Sequence, residues 1–324
     1  MKKLYFSTFI PGLEKPIEAM LHKEGGVAVE RVLSGAALYR SVREPSLPFV
    51  HQTFQVLFQM KPCGVDEAVR RLLATGGWLD RFPYEETQGK RFRIVTAQGG
   101  QLVSANMRYV DMLERAICEQ TGMRTYRERP DVELWVLCRP EAAYFLWRVG
   151  KRPAKQEGQL RADVCAVVSF LSQCGAKNAA ILGCNGTALP AAMKAGGART
   201  LTAVCPDRAC AKLVEGKVRG VRVCEGSSGY TDLPDASQDA VVVYLPVKQE
   251  MTERLESDLR SAMFEARRIL GEDGRLIVIA SLKHAQSTLR KTQGVRVLAR
   301  YMVTLSGQES AIWLMEPKAD ADEE

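Results

Sequence analysis

The sequence predicts a two-part α/β chain, an α+β front half followed by a doubly wound parallel sheet that ends in an antiparallel hairpin. Three observations carry that expectation. From Asp163 onward, short apolar strands alternate with helix-period segments, a rhythm that demands crossover connections and therefore a parallel sheet. The last two strands are separated only by Ser306 to Ser310, which is too short for a crossover. A chain of 324 residues with 46% hydrophobic content can also fill two cores, at about 150 residues each.

The back half is organised around Lys177 to Pro190. Ala179 to Leu182 is a strand, Gly183-Cys184-Asn185-Gly186-Thr187 is a turn, and Ala188 to Ala195 is a helix of small residues. Strand, glycine turn and helix in that order present main-chain N–H groups to an anionic ligand, and equally serve as a purely structural turn. Around it the periodicity predicts helices over Asp163–Ser172, Arg208–Glu215 and Glu253–Leu270. Strands are predicted over Thr200–Val204, Val221–Cys224, Ala240–Tyr244 and Arg275–Ala280, with the hairpin formed by Val295–Leu305 and Ala311–Glu316.

In the front half, Leu4 to Ile10 reads as a strand broken by Pro11-Gly12. Glu14 to Lys23 follows as a helix with Ile17, Met20 and Leu21 on one face. Val27–Leu33, Ala37–Val42 and Val50–Lys61 read as strands. The next helix carries Val69, Leu72 and Leu73 inward, with Asp66 expected as its N-cap. Asp80 to Gly89 reads as a loop and Arg91 to Thr96 as a strand with its arginines on one side. Asn106 to Gln120 reads as a helix closed by Gly122, and Val132–Leu137 and Ala143–Val149 as a strand pair.

Charge is uneven. Residues 1–160 hold 24 Lys and Arg against 18 Asp and Glu, leaving 21 against 20 for the remainder, so the basic excess points to a polyanionic partner of the front half. No apolar run reaches the roughly 20 residues that span a bilayer, and Pro11 and Glu14 interrupt the first apolar segment, which excludes a signal peptide. The nine cysteines are scattered without a C-x-x-C pair, and His22, His51 and His284 lie far apart in sequence. The spacing therefore predicts no zinc site and no disulfide framework, but buried cytosolic thiols and a cytoplasmic protein.

The order of these segments resembles a known family. Arg91-Phe92-Arg93-Ile94, the helix ending at Gly122, Arg129-Pro130-Asp131-Val132-Glu133-Leu134-Trp135-Val136 and Ala143-Tyr144-Phe145-Leu146-Trp147-Arg148-Val149 look like a THUMP RNA-binding module. The opening Tyr5 to Glu14 resembles the ferredoxin-like subdomain that precedes it. Lys151-Arg152-Pro153 through Gly158-Gln159-Leu160-Arg161 resembles the family's linker to a class I, S-adenosylmethionine-dependent RNA methyltransferase domain. The resemblance runs to Pro317. It implies a ferredoxin-like plus THUMP region over 1–150, a linker over 151–162 and a Rossmann-like methyltransferase domain over 163–317. An acidic tail, 318–324, would follow.

It also implies roles. Leu182, Gly183, Cys184, Asn185, Gly186 and Thr187 would wrap S-adenosylmethionine, with the usual acidic residue absent. At the next strand end, Cys205 stands where a carboxylate would accept both ribose hydroxyls. Asp207 serves either as its substitute or as the N-cap of the following helix. Ser227 and Ser228 replace the adenine-side carboxylate. Tyr244, Leu245 and Pro246 occupy the place of the (Asn/Asp)-Pro-Pro-(Tyr/Phe) motif that grips a base amine, with Val247 in place of the aromatic. Tyr244 either holds that amine or fills the strand end. Lys90, Arg91, Arg93, Arg124, Arg127, Arg129, Lys151 and Arg152 would contact RNA phosphates, with Phe92 and Tyr126 stacking on unpaired bases. The expected function is methylation of a base amine in tRNA or rRNA, without a membrane. The alternative is an RNA-binding protein whose methyltransferase fold has lost catalysis.

Overall fold

The computed structural model describes residues 2–150, 159–245 and 253–318, so Lys151, Arg152, Pro246 and Val247 lie outside the described residues. In the front half β1 (Lys3–Thr8) leads to α1 (Glu14–Lys23), β2 (Val27–Leu33), β3 (Ala36–Ser41) and β4 (Gln52–Met60). Then come α2 (Val65–Thr75), α3 (Tyr84–Thr87), β5 (Arg91–Gln98), β6 (Gln101–Leu102), α4 (Met107–Thr121), β7 (Arg124–Thr125), β8 (Val132–Cys138) and β9 (Ala143–Val149).

These strands make one sheet in the order β2-β3-β1-β4-β9-β8-β5-β6, with β7 added beside β5. Antiparallel pairing of β4 with β9 joins the two parts of the front half into a single surface. Two details differ from expectation. The cap of α2 is Gly64, not Asp66; Asp66 instead accepts the main-chain N–H of Asn106 at 2.7 Å and so ties α2 to the start of α4. The expected loop 80–89 contains the short α3, whose Thr87 hydroxyl donates back to the carbonyl of Pro83 at 3.0 Å.

The back half comprises α5 (Ala162–Ser172), β10 (Asn178–Leu182), α6 (Ala188–Ala195), β11 (Thr200–Cys205), α7 (Arg208–Lys217), β12 (Arg222–Glu225) and β13 (Gln238–Tyr244). It closes with α8 (Glu253–Ile269), β14 (Leu270–Ser281), α9 (Leu282–Lys291), β15 (Val295–Leu305) and β16 (Gln308–Pro317). The sheet order is β12-β11-β10-β13-β14-β16-β15, parallel through β14 and antiparallel at β16 and β15. The strands β10 and β13 are buried along their central residues because helices cover both faces, which is why their sequence shows apolar runs without alternation.

The chain leaves β10 toward β11 and β12 on one side, then returns to β13 on the other. This reversal opens a crevice at the carboxyl ends of β10 and β13, the position where open α/β sheets bind ligands. One core is shared by both halves: Tyr5, Ile17, Leu21 and Tyr39 pack in the same apolar cluster as Val164, Ile181, Ile279 and Leu305.

Candidate functional site

The crevice gathers the expected residues from four strand ends. After Leu182 the chain turns through Gly183, whose φ of +79° disfavours any residue with a Cβ. A Cβ there would also sit 2.2 Å from the Tyr244 carbonyl oxygen and 3.2 Å from Ser228 Oγ, so the turn presses against the end of β13 and the loop after β12. The Cys184 N–H donates to the Val204 carbonyl at 2.8 Å, and Gly226 N–H to the Cys205 carbonyl at 2.9 Å, which fastens the turn and the β12 loop to β11. Leu182, Gly183, Cys184, Gly186, Ser228 and Tyr244 are therefore brought together.

What the crevice holds is its own side chain. Gly186 has a φ of +121°, and a Cβ built on it would lie 2.2 Å from Cδ of Gln159. The space bounded by Gln159, Leu160, Asn185, Gly186, Leu189 and Tyr244 measures about 10 Å³, at the lower limit for one water. Gln159 Oε1 is buried without a hydrogen-bond partner among the described residues. An unpaired buried amide oxygen costs about 1–3 kcal/mol, so this side chain is a poorly anchored occupant.

The remaining members settle as follows. Asp207 is an N-cap: its Oδ1 accepts the Cys210 N–H at 2.8 Å in the first turn of α7. Ser227 Oγ accepts the Gly229 N–H at 3.2 Å and closes its own loop. The Tyr244 ring is buried in the core shared with Cys165, and that burial, with Cys165 adding to it, pushes its hydroxyl up to about 12. Leu245 is buried on the opposite face of the sheet, against the cluster beneath α8. In this conformation Gln159 fills the space beside Gly186, and the end of β11 carries the thiol of Cys205 in place of a carboxylate.

Sequence reasoning missed two features. Gln159 falls in the expected linker, and nothing local marks a side chain that folds into a turn 27 positions further on. Cys184, Cys205 and Cys210 come from three separate segments, yet their sulfurs lie within 4.8 Å of one another. Their spacing matches no metal motif, so only the parallel pairing of β10 with β11 could have joined them.

A second feature is a cationic ridge on the front half. The pairing of β7 with β5 sets Arg124 opposite Arg91. Arg91 stacks over the Tyr126 ring at 5.0 Å while also pairing with Asp131 at 3.0 Å. The Arg91 guanidinium holds the Asp131 carboxyl down at about 2. Arg127 is shared between Asp111 and Glu114 at 3.4 Å, and Arg93 is tied to Glu133. Lys90, Arg124 and Arg129 make no ion pair among the described residues. Phe92 is fully buried, because its side of β5 faces the core, so it offers no stacking surface and Tyr126 alone remains exposed.

Neither protein-family models nor curated proteins yield a match to this sequence. Solved structures do. TrmN from Thermus thermophilus superposes with a TM-score of 0.79 at 15% identity, covering 97% of this chain and 99% of its own. The fold is that of the methyltransferases. A predicted N6-adenine-specific DNA methylase from Listeria monocytogenes matches at 0.72 and 11% identity, over 97% of this chain and 96% of that one. SMU.472, assigned as a methyltransferase and complexed with SAH, matches at 0.72 and 9% identity over 99% of each chain. The correspondence thus spans the front half as well as the crevice. No helix among the described residues is long and apolar enough to cross a membrane.

Proposed function

We propose that this chain is an RNA-binding protein built on the methyltransferase fold, gripping a structured tRNA or rRNA through Lys90, Arg91, Arg124, Tyr126 and Arg129. The observation that carries this reading is the ridge. Three unpaired cations flank an exposed tyrosine held in place by Arg91, which combines phosphate contact with a stacking platform for an unpaired base. As cations Arg91, Arg93 and Arg127 contribute less, because carboxylates already engage their guanidinium groups; the part of Arg91 is to hold Tyr126. Replacing Lys90, Arg124 and Arg129 by Glu should weaken binding of a structured RNA and reduce its salt dependence by about three counterions' worth of slope. An unchanged slope in a titration over salt would move the RNA surface elsewhere.

Methylation of a base amine with S-adenosylmethionine is the second reading. It is favoured by the whole-length correspondence to methyltransferases and by the loose anchoring of Gln159. In that reading the main chain of Gly183–Thr187 would hold the methionine end, Ser227 and Ser228 the adenosine side, and the strand end at Tyr244 to Pro246 the base. The bound group would supply an electrophilic methyl. The chain would contribute position and exclusion of water, which is most of what such a transfer requires.

Calorimetry with S-adenosylhomocysteine separates the two. The RNA-binding reading expects no heat with the natural chain up to millimolar ligand. A measurable affinity, increased on Gln159→Ala, would establish the enzymatic reading instead.

A further inference from the structure

The fold brings three thiols together beneath the glycine turn. Cys184 lies in the turn after β10, Cys205 is the last residue of β11, and Cys210 lies in the first turn of α7. All three are nearly inaccessible, at 1%, 0% and 9% exposure, and all three sulfurs lie within 4.8 Å of one another. In a tetrahedral thiolate site with bonds of about 2.3 Å the sulfurs stand about 3.8 Å apart. The observed cluster is therefore within about 1 Å of a ligating arrangement, a distance that small side-chain rotations can close.

Simple packing of small apolar side chains would also bury cysteines. Here the thiols do more than pack. Cys184 Sγ donates to the Gly186 carbonyl at 3.3 Å, and Cys210 Sγ donates to the Cys184 carbonyl at 3.1 Å, so the sulfurs turn inward toward the turn and toward one another. The cluster sits at the carboxyl ends of parallel strands, the ligand-binding edge of this sheet class. Cys210 lies in the first turn of α7, where burial and the neighbouring Cys205 raise its thiol, so the geometry and not a ready thiolate argues for the site.

We propose that Cys184, Cys205 and Cys210 form a binding site for one thiophilic divalent cation of the zinc class, the fourth position being left to water or an added ligand. On uptake each thiol releases one proton to solvent and its sulfur lone pair forms one metal–sulfur bond. The product is a tris-thiolate complex of net charge −1, with no oxidation or reduction. Ligation removes both thiol hydrogen bonds to the turn, so the ion and the conformation of Gly183–Thr187 are coupled. The site stands apart from the RNA ridge and does not depend on it.

Cadmium titration of the reduced full-length protein provides the test, because cadmium thiolates absorb in the ultraviolet. The expected result is a ligand-to-metal band that saturates at one equivalent, is reversed by the chelator EDTA, persists in Cys63→Ser and is lost in Cys205→Ser. A folded natural chain with no band at stoichiometric cadmium, or a band that survives Cys205→Ser, would overturn the proposal. Should Cys205→Ser fail to fold, alkylation footprinting of the natural chain decides the matter. Joint protection of Cys184, Cys205 and Cys210 by cadmium supports the site; protection of other cysteines, or of none, refutes it.

Discussion

Glu133 shows how much of the front half's charge is structural. Its carboxylate is 12% exposed and receives Arg148 at 2.6 Å, Arg93, and the Trp135 indole N–H at 3.2 Å. Burial works to raise its pKa, but Arg148 and Arg93 outweigh that and hold it below its ordinary value of 4.5. A lowered carboxylate contributes stability that is present above the unfolded value and is lost as pH falls through the folded one. Glu133→Gln should therefore lower the unfolding free energy by about 1–3 kcal/mol at neutral pH, with the gap to the natural chain narrowing below pH 4.5. Urea midpoints at neutral pH and at about pH 3.5 read this directly, and an equal gap at both would show that ionisation plays no part. The same residue explains why a sequence count of arginines overstates the free positive charge of the front half. Arg93 looks like a free cation on a polar strand face, and only the register that places Glu133 opposite it in β8 shows otherwise.

At the scale of elements, α1, β2, β9 and β15 are legible in the sequence, with expected and observed limits that coincide, and so is the stretch Ala179 to Ala195. The strand was found to within one residue and α6 at its observed limits, because an apolar run, two glycines and a small-residue helix leave little choice. The parallel order and the terminal hairpin followed from connection lengths alone. Harder to read was Asp207, whose two candidate roles could be separated only by geometry. Its extended backbone and its bond to the Cys210 N–H settle it as a cap. Asp207→Ala should then cost about 1 kcal/mol in denaturant unfolding, and Asp207→Asn, which keeps an acceptor, only a small part of that. Equal losses in the two variants would mean that capping is not what the carboxylate does. The cap matters for the thiol cluster, since it fixes the first turn of α7 and with it the sulfur of Cys210. Asp66 departs from expectation for a related reason: Asp at a helix start is a capping signal, but here Gly64 is the cap residue and Asp66 reaches sideways to the start of α4.

Across the whole molecule, the two halves share a core and meet closely where the loop before α1 packs on β15. Gly12, at a φ of +97°, lies where an added Cβ would fall 1.7 Å from the Met302 carbonyl oxygen of β15. Its N–H is held by the Glu14 carboxylate at 3.0 Å, which also accepts the Gly35 N–H at 3.0 Å, so the loop before α1 cannot swing aside freely. A linker of the kind read from the sequence would ordinarily permit relative motion of two halves, but a large apolar contact suppresses it. The cationic ridge is thereby carried on a half that shares its core with the crevice. Gly12→Ala combines a disfavoured φ with a main-chain clash, and should lower stability by about 2–4 kcal/mol. Because the strain falls on the shared contact, it should also split a single calorimetric transition into two, the front half separating from the back. A natural chain that already melts in two steps, or a Gly12→Ala variant that melts like it, would show that the halves are joined by the chain alone and that the ridge is free to move relative to the crevice.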